Sequence, residues 1–350
     1  MTAIPEAMRA AVYRQQGELD IEERPVPGVG PRDVLLEVSH CGICGSDIHF
    51  VLEGWGQPGS VEGHEWAGRV VAVGDAVTRW SVGDEVVGGP SPRCGECEYC
   101  RAGRPSLCTG RNTPGISAHA DGAFAEYTLS DEQGLRRVPD GVSLRAAALA
   151  EPLAVALHGL TRGGVHAGQR LLVTGAGPIG ALSVAAARAR GVTDIVVSEP
   201  HPRRRALAER LGAVAVEPDT LVASRSPGDI VAEPFDVALE CSGHAVAMEA
   251  ALGQLKRGGR LVFVGAGMKL PRLDANRILL NELVVTGAFV YDADGFERSL
   301  ELLARPDFPT QLLIEPDDVP LDGLYDAIVG LHDGELAAKV MIVPHRKGSP

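Results

Sequence analysis

Residues 170–191 read "RLLVTGAGPIGALSVAAARARG". An apolar run leads into a turn with three glycines, and an alanine-rich run follows. The uncharged stretch 171–187 has the look of a membrane span, but the glycines and proline of "TGAGPIG" break it into strand, turn and helix. In the pattern Gly175-x-Gly177-x-x-Gly180 the first glycine permits a tight turn. The second lets a pyrophosphate approach the backbone, and the third lets helix pack closely on strand. The helix start would offer its unpaired N–H groups to the phosphates.

The alternation continues outward. "DIVVSEP" at 194–200 reads as a strand and "PRRRALAERLGA" at 202–213 as a helix. "FDVALECSG", "AMEAALGQLKRGG", "RLVFVGAG" and "LVVTGAFV" carry the same rhythm to residue 290. Strand–helix alternation at this pitch predicts a doubly wound parallel sheet, an α/β Rossmann domain over 156–291. Glu199 ends the second strand, 24 residues after Gly175 (199 − 175). A carboxylate there accepts hydrogen bonds from both ribose hydroxyls and repels a 2′-phosphate, which favours NAD over NADP. Arg203 to Arg205 follow directly, and a basic residue there can bind that phosphate.

Before residue 155 the texture differs. Short apolar runs such as "DVLLEVS" (33–39), "GRVVAVG" (68–74) and "DEVVGG" (84–89) are broken by glycine and proline, as in a β-rich domain. After 292 come two amphipathic helical patterns, "FERSLELLAR" and "DGLYDAIVGL", and a terminal strand, "KVMIVP". Residues 1–155 and 292–350 are expected to form one domain around the other. Two domains suit a chain of 350 residues.

The composition, 45% hydrophobic and 23% charged, is that of a globular protein. With 46 acidic against 33 basic side chains the net charge is −13, which argues against binding nucleic acid or an anionic membrane surface. "MTAIPEAMRAAVY" at 1–13 lacks the pattern of a signal peptide, so a cytoplasmic protein is expected. Disulfides are then disfavoured, and clustered cysteines point to metal. Cys94, Cys97, Cys100 and Cys108 lie in "CGECEYCRAGRPSLC". Four thiolates fill a tetrahedral zinc shell and leave no open position, so the site is structural. A ferredoxin-type run would place its fourth cysteine after three residues with proline behind it. Here the gap is seven residues and Thr109 follows.

A second constellation comes from "CGICGSDIHF" (41–50), "GHEWAGRVVAVGDAV" (63–77) and "LAEPLAV" (149–155). Cys44, His64, Glu65 and Glu151 are the donor types of a catalytic zinc with a position left for water or substrate. These stretches resemble the zinc-dependent medium-chain dehydrogenase/reductase family, the alcohol dehydrogenase superfamily, along essentially the whole chain. Gly68, Gly74 and Val77 follow Gly-His-Glu at the family's offsets. "GICGSD" and "EPL" resemble the sorbitol, threonine and butanediol dehydrogenase branch.

The resemblance implies a GroES-like catalytic domain beside the Rossmann domain and two zinc ions per subunit. It implies Cys44 and His64 as ligands of the catalytic zinc and offers Glu65 as the third, with Glu151 bound through the zinc water or exchanging with Glu65 during turnover, and it leaves open which of the two carboxylates is the direct ligand. It gives Asp47 the task of orienting His64. Ser46 and His49 match the family's proton relay, which serves an alcohol acidified by zinc. NAD contacts are implied for Gly175, Gly177, Pro178, Ile179 and Gly180, and for Glu199, Arg204 on the adenine, Val264 and Tyr291. Ser46, Phe50, Trp55, Glu151 and Tyr291 would line the substrate pocket.

In the polyol-oxidising branch an arginine stands where this chain has Val290. The expected reaction is hydride transfer between a secondary alcohol or vicinal diol, or the matching ketone, and NAD. A polyol or L-threonine is the alternative substrate. A zinc-containing binding module without catalysis is the alternative of another class, and the acidic balance and the incomplete second zinc shell speak against it. The apolar strand at 281–290 is expected at a sheet edge paired with its twin, in a homotetramer or homodimer.

Overall fold

A computed structural model of the chain describes residues 4–90, 94–110 and 121–345. The chain opens with the hairpin β1 (Ala7–Gln15) and β2 (Glu18–Pro25), followed by β3 (Asp33–Gly42) and helix α1 (Gly45–Leu52). Next come β4 (Glu65–Val73), β5 (Glu85–Gly88), the short helix α2 (Glu98–Arg101), β6 (Tyr127–Asp131), β7 (Arg136–Arg137) and α3 (Leu144–Ala147). Helix α4 (Ala150–Gly163) leads into the cofactor-type fold. That fold holds β8 (Arg170–Thr174), α5 (Pro178–Ala189), β9 (Asp194–Ser198), α6 (Pro202–Arg210) and β10 (Val214–Val216). It continues through β11 (Phe235–Glu240), α7 (Ala245–Gly253), β12 (Leu255–Phe263), α8 (Ala275–Leu280) and β13 (Val284–Gly287). The chain then returns with α9 (Gly295–Leu303), β14 (Val319–Pro320), α10 (Leu324–His332) and β15 (Met341–Val343).

Strands β8 to β13 form one six-stranded sheet in the order β10-β9-β8-β11-β12-β13, every neighbouring pair parallel. Two runs wound outward from β8 are the doubly wound pattern, and they leave a crevice between the ends of β8 and β11. The glycine turn fills that crevice. A Cβ on Gly180 would stand 1.9 Å from the Gly175 carbonyl oxygen, so no side chain fits where α5 begins. Strands β1 and β2 pair as a two-stranded sheet of their own, and the remaining strands form a mostly antiparallel seven-stranded sheet, β14-β15-β3-β4-β5-β7 with β6 beside β3. Residues from both ends of the chain meet in it, because β15 pairs with β3.

Helix α4 joins the two units, and the expected boundary at 155/156 falls within it. It packs on β4 and β5 of one sheet and on β11, β12 and β13 of the other. Leu153, Ala156 and Leu160 are fully buried on it, and Gly164 ends it in a left-handed C-cap. One apolar core runs from Ala67 and Val87 through this helix to Val173, Leu239 and Val262. Leu160→Ala should therefore cost about 2–5 kcal/mol, read as a lower urea midpoint with an unchanged slope. A cost under about 1 kcal/mol would mean that the helix is not central to the core.

Candidate active site and metal centres

The 20-residue gap between Cys44 and His64 (64 − 44) is closed by sheet register. Strands β3 and β4 pair antiparallel with Gly42 opposite Glu65. The chain therefore leaves β3 toward Cys44 beside the point where His64 leads into β4. The donor atoms of Cys44, His64 and Glu65 all lie within 4.8 Å of one another. Cys44 caps α1, and its backbone N–H donates to Asp47 Oδ2 at 2.7 Å. The other Asp47 oxygen is buried without a hydrogen-bond partner, 3.9 Å from His64 Nδ1. It stands where a carboxylate that orients a ligating imidazole belongs.

Glu151 enters from the first turn of α4, 95% buried. It is outside the 4.8 Å donor set but close by. A Cβ on Gly89 would stand 2.8 Å from Glu151 Cγ, 3.0 Å from the His64 carbonyl oxygen and 3.2 Å from the Tyr291 hydroxyl. Gly89 thus marks the point where three groups of the site converge. Burial pushes the Glu151 carboxyl up to about 8; Glu65 and Asp47 add to the shift, while His64 and Lys339 oppose it. Burial likewise raises Asp47 to about 6. Burial disfavours a charged His64, yet the Cys44 thiolate and the Asp47 and Glu151 carboxylates hold its pKa well above the usual histidine value. So much negative charge in one dry pocket fits a divalent cation. A thiolate, an imidazole and carboxylates are zinc donors.

Sequence reasoning missed Lys339. It is 99% buried and donates to Glu65 Oε1 at 2.8 Å and to the Ile43 carbonyl at 2.8 Å. Its signal was a lone charge in the apolar run "AAKVMIV". Ser46 and His49 sit three residues apart on α1, both half-buried and on the same side of the helix. His49 stacks on Trp55, with ring centroids 4.7 Å apart, and its Nδ1 lies 3.0 Å from Glu53 Oε2. Trp55 is exposed and covers His49; Phe50 is half-buried. Tyr291 is buried and donates its hydroxyl to the Pro90 carbonyl at 2.7 Å. Val290, just before it, has φ 54, a rare conformation for a β-branched residue.

The sulfurs of Cys94, Cys97, Cys100 and Cys108 also lie within 4.8 Å of one another. Backbone N–H groups of Cys94, Cys97 and Cys100 point at Cys108, Cys94 and Cys97 sulfurs at 3.3–3.4 Å. The N–H of Cys100 brings Cys97 down to about 6, whereas burial lifts Cys100 to about 12. Four such thiolates share a space only around a cation, and the set fits zinc. The lobe also touches the site wall. Ala293 N–H donates to the Gly103 carbonyl at 3.2 Å. Asp292 lies between Arg104, 3.8 Å away, and the buried His158 of α4, 3.2 Å away.

At the crevice, Glu199 is buried, and its oxygens accept from Ala176 N–H at 2.7 Å and His201 N–H at 2.9 Å. Gly177, Pro178 and Ile179 are half-buried at the start of α5. Val264 follows β12 and donates its N–H to the Glu240 carbonyl at 2.8 Å. Arg204 lies beside Gly177 but directs its guanidinium to the carbonyls of Leu331 and Leu336.

A family model described as an alcohol dehydrogenase GroES-like domain matches residues 30–140, and one described as a zinc-binding dehydrogenase matches 178–305. Sorbitol dehydrogenase of Bacillus subtilis strain 168 is 35% identical, with 98% of this chain and 99% of that protein covered. A zinc-binding dehydrogenase of Sinorhizobium meliloti 1021, solved with NADP bound, is 33% identical and superposes with a TM-score of 0.84, covering 97% of this chain and 100% of that one. 2R,3R-butanediol dehydrogenase of Bacillus subtilis is 31% identical with a TM-score of 0.82, at 97% and 100% coverage. No helix among the described residues is long and apolar enough to cross a membrane. With both units matched and its relatives covered end to end, the chain belongs to the zinc-dependent medium-chain dehydrogenase/reductase family and is an alcohol dehydrogenase that works with zinc and a nicotinamide cofactor.

Proposed function

We propose that the enzyme oxidises short secondary alcohols or vicinal diols with NAD, with one zinc in the Cys44–His64 cluster and a second in the four-cysteine lobe. The carrying observation is the convergence of Cys44, His64 and Glu65 beside the buried Glu151. The 4.8 Å donor set supports Glu65 as the third donor, with Glu151 reaching the cluster through water. A zinc there supplies the Lewis acidity that makes an alcohol proton labile. Ser46 would take that proton as its hydroxyl gives up its own by way of the cofactor ribose to His49, which passes it outward, its ring held by Trp55 and Glu53. Glu151 can accept a hydrogen bond from a second hydroxyl on the neighbouring carbon.

NAD is favoured because Glu199 is fixed at the end of β9 by two backbone donors. The cytoplasm remains the proposed compartment, in keeping with seven cysteines that form no disulfide with one another. Short substrates are favoured over sorbitol-like ones because one cationic anchor for a long polyol is missing. Val290 stands in the place of the family arginine, and the Tyr291 hydroxyl is given to Pro90. The names of the relatives include both a polyol and a butanediol enzyme. We also infer a homotetramer or homodimer built on β13. This strand ends the sheet, and Val284, Phe289, Leu279 and Leu280 are exposed on or near it.

Butane-2,3-diol should give a higher kcat/KM than sorbitol, xylitol or L-threonine in assays of NADH appearance, and Val290→Arg should move the ratio toward the polyols. A long polyol ahead of every short diol would overturn this reading. Light scattering should report a dimer or tetramer, and a stable active monomer would refute the assembly. Metal analysis should find two zinc ions per subunit. Cys97→Ser should cost several kcal/mol of stability, because a closed zinc shell contributes folding energy of about 10–16 kcal/mol in small zinc-folded peptides and losing one of four ligands removes part of such a contribution. Cys44→Ser should abolish turnover with the fold retained.

Metal removal also sets a pH dependence. In the metal-free protein Glu151, held up to about 8, and Asp47, up to about 6, keep protons that the unfolded chain has released. The folded state then binds more protons than the unfolded one, so stability falls as pH rises from about 5 to about 8. Calorimetry with chelator should show Tm dropping by roughly 5–10 °C over that range, and zinc should remove the slope. A Tm that rises with pH in the chelated protein would contradict the site electrostatics.

A further inference from the structure

The turn that follows α10 crosses the domain cleft and seats on the start of α6. Arg203 donates Nη1 to the Glu335 carbonyl. Arg204 donates Nη2 to the Leu331 carbonyl and Nε to the Leu336 carbonyl, the latter at 3.3 Å. Between these acceptors Gly334 is buried with φ +76, and a Cβ on it would stand 2.2 Å from His201 Nδ1. Only glycine lets the turn lie flat on that ring. The backbone N–H of His201 in turn holds Glu199, the carboxylate of the ribose site. His201, which precedes α6, and Arg203 and Arg204 in its first turn thus clasp Leu331, Gly334, Glu335 and Leu336 of the other domain at the adenosine end of the crevice.

We propose that His201, Arg203 and Arg204 form a latch across the cleft, closed on the main chain of residues 331–336, and that the latch sets cofactor preference by keeping both guanidinium groups from a 2′-phosphate. Arginines directly after the ribose carboxylate would otherwise make the bidentate phosphate pairs for which guanidinium is suited. Here Arg203 is spent on the Glu335 carbonyl, and Arg204 spends Nε and Nη2 on main-chain carbonyls, which leaves its Nη1 on the crevice side, 3.9 Å from where a Cβ on Gly177 would stand. An NADP molecule would have to break the clasp on three carbonyls and lift Gly334 from His201 while facing the Glu199 charge. NAD meets only the ribose site and leaves the clasp intact. Arg205 adds no free cation, since it binds the carbonyls of Glu199 and Pro200 and the Glu217 carboxylate. The inference rests on the NAD reading above, and a binding cycle separates the two.

Dissociation constants of NADH and NADPH are measured by nucleotide fluorescence on the zinc-loaded protein, without substrate. Gly334→Ala pushes the turn off His201 and frees the arginines, so the preference for NADH should narrow by about tenfold. Adding Arg203→Ala and Arg204→Ala to that variant should restore the wild-type ratio, whereas the same pair in the wild type should leave the ratio within about twofold. Should Gly334→Ala lack a cooperative melt, His201→Ala removes the seat of the turn without crowding and should narrow the ratio in the same direction. The latch is refuted if the latch-opening variants change both nucleotides equally, or if removing the arginines from the wild type selectively weakens NADPH. A wild type that prefers NADPH refutes the NAD reading, and the cycle then still decides whether the arginines are withheld.

Discussion

Four acidic groups, Cys44, Asp47, Glu65 and Glu151, share one buried pocket, and two buried cations of the protein, His64 and Lys339, face them. This crowding shapes the site. Burial and mutual repulsion push the proton affinities of Asp47 and Glu151 upward, and the Lys339–Glu65 pair neutralises one carboxylate at the back. Like charges so close in a poorly hydrated volume are stable only with a cation among them or with protons retained. The preference for a metal is thus built into the placement of charges before any coordination geometry is considered. That placement depends in turn on a backbone constraint. Gly42 pairs with Glu65 across β3 and β4, and β15 returns from the far end of the chain to lay Lys339 behind them.

Much of this was legible in the sequence because it is written in local spacing. The glycine turn after an apolar strand announced the parallel sheet, and the order about β8 follows the doubly wound pattern. The cysteine spacing at 94–108 announced a cluster of four sulfurs, and "GHEWAG" set His64 and Glu65 just ahead of the apolar run at 68–74. What stayed hidden is what the fold assembles from distant parts. Lys339 is 274 residues from Glu65 and has no motif of its own. Gly89 matters through what crowds it. The clasp on Arg203 and Arg204 uses main-chain carbonyls, so the side chains of residues 331–336 carry no sign of it.

The return segment ties these parts together. Residues 331–336 sit on the arginines of α6, and three residues later Lys339 holds Glu65 and the carbonyl of Ile43 next to Cys44. One stretch of chain therefore spans the cleft from the adenosine end to the back of the catalytic cluster. Both ends are anchored by charged hydrogen bonds, from the exposed Arg203 and half-buried Arg204 at one and the buried Lys339 at the other.

The four-cysteine lobe, which by spacing alone reads as a remote staple, is fastened to the pocket wall. Val290 occupies a left-handed backbone conformation at a cost of about 1–3 kcal/mol for a residue of its kind. Such a conformation persists only where the surroundings over-determine it. The three residues that follow supply that determination. Tyr291 is fixed to Pro90, Asp292 stands between His158 and Arg104, and Ala293 donates to Gly103. Two of these anchors, Gly103 and Arg104, belong to the loop between Cys100 and Cys108. A metal that closed this loop, as proposed, would also hold the strained segment in place, so the lobe would bear on the shape of the proposed substrate pocket from outside it.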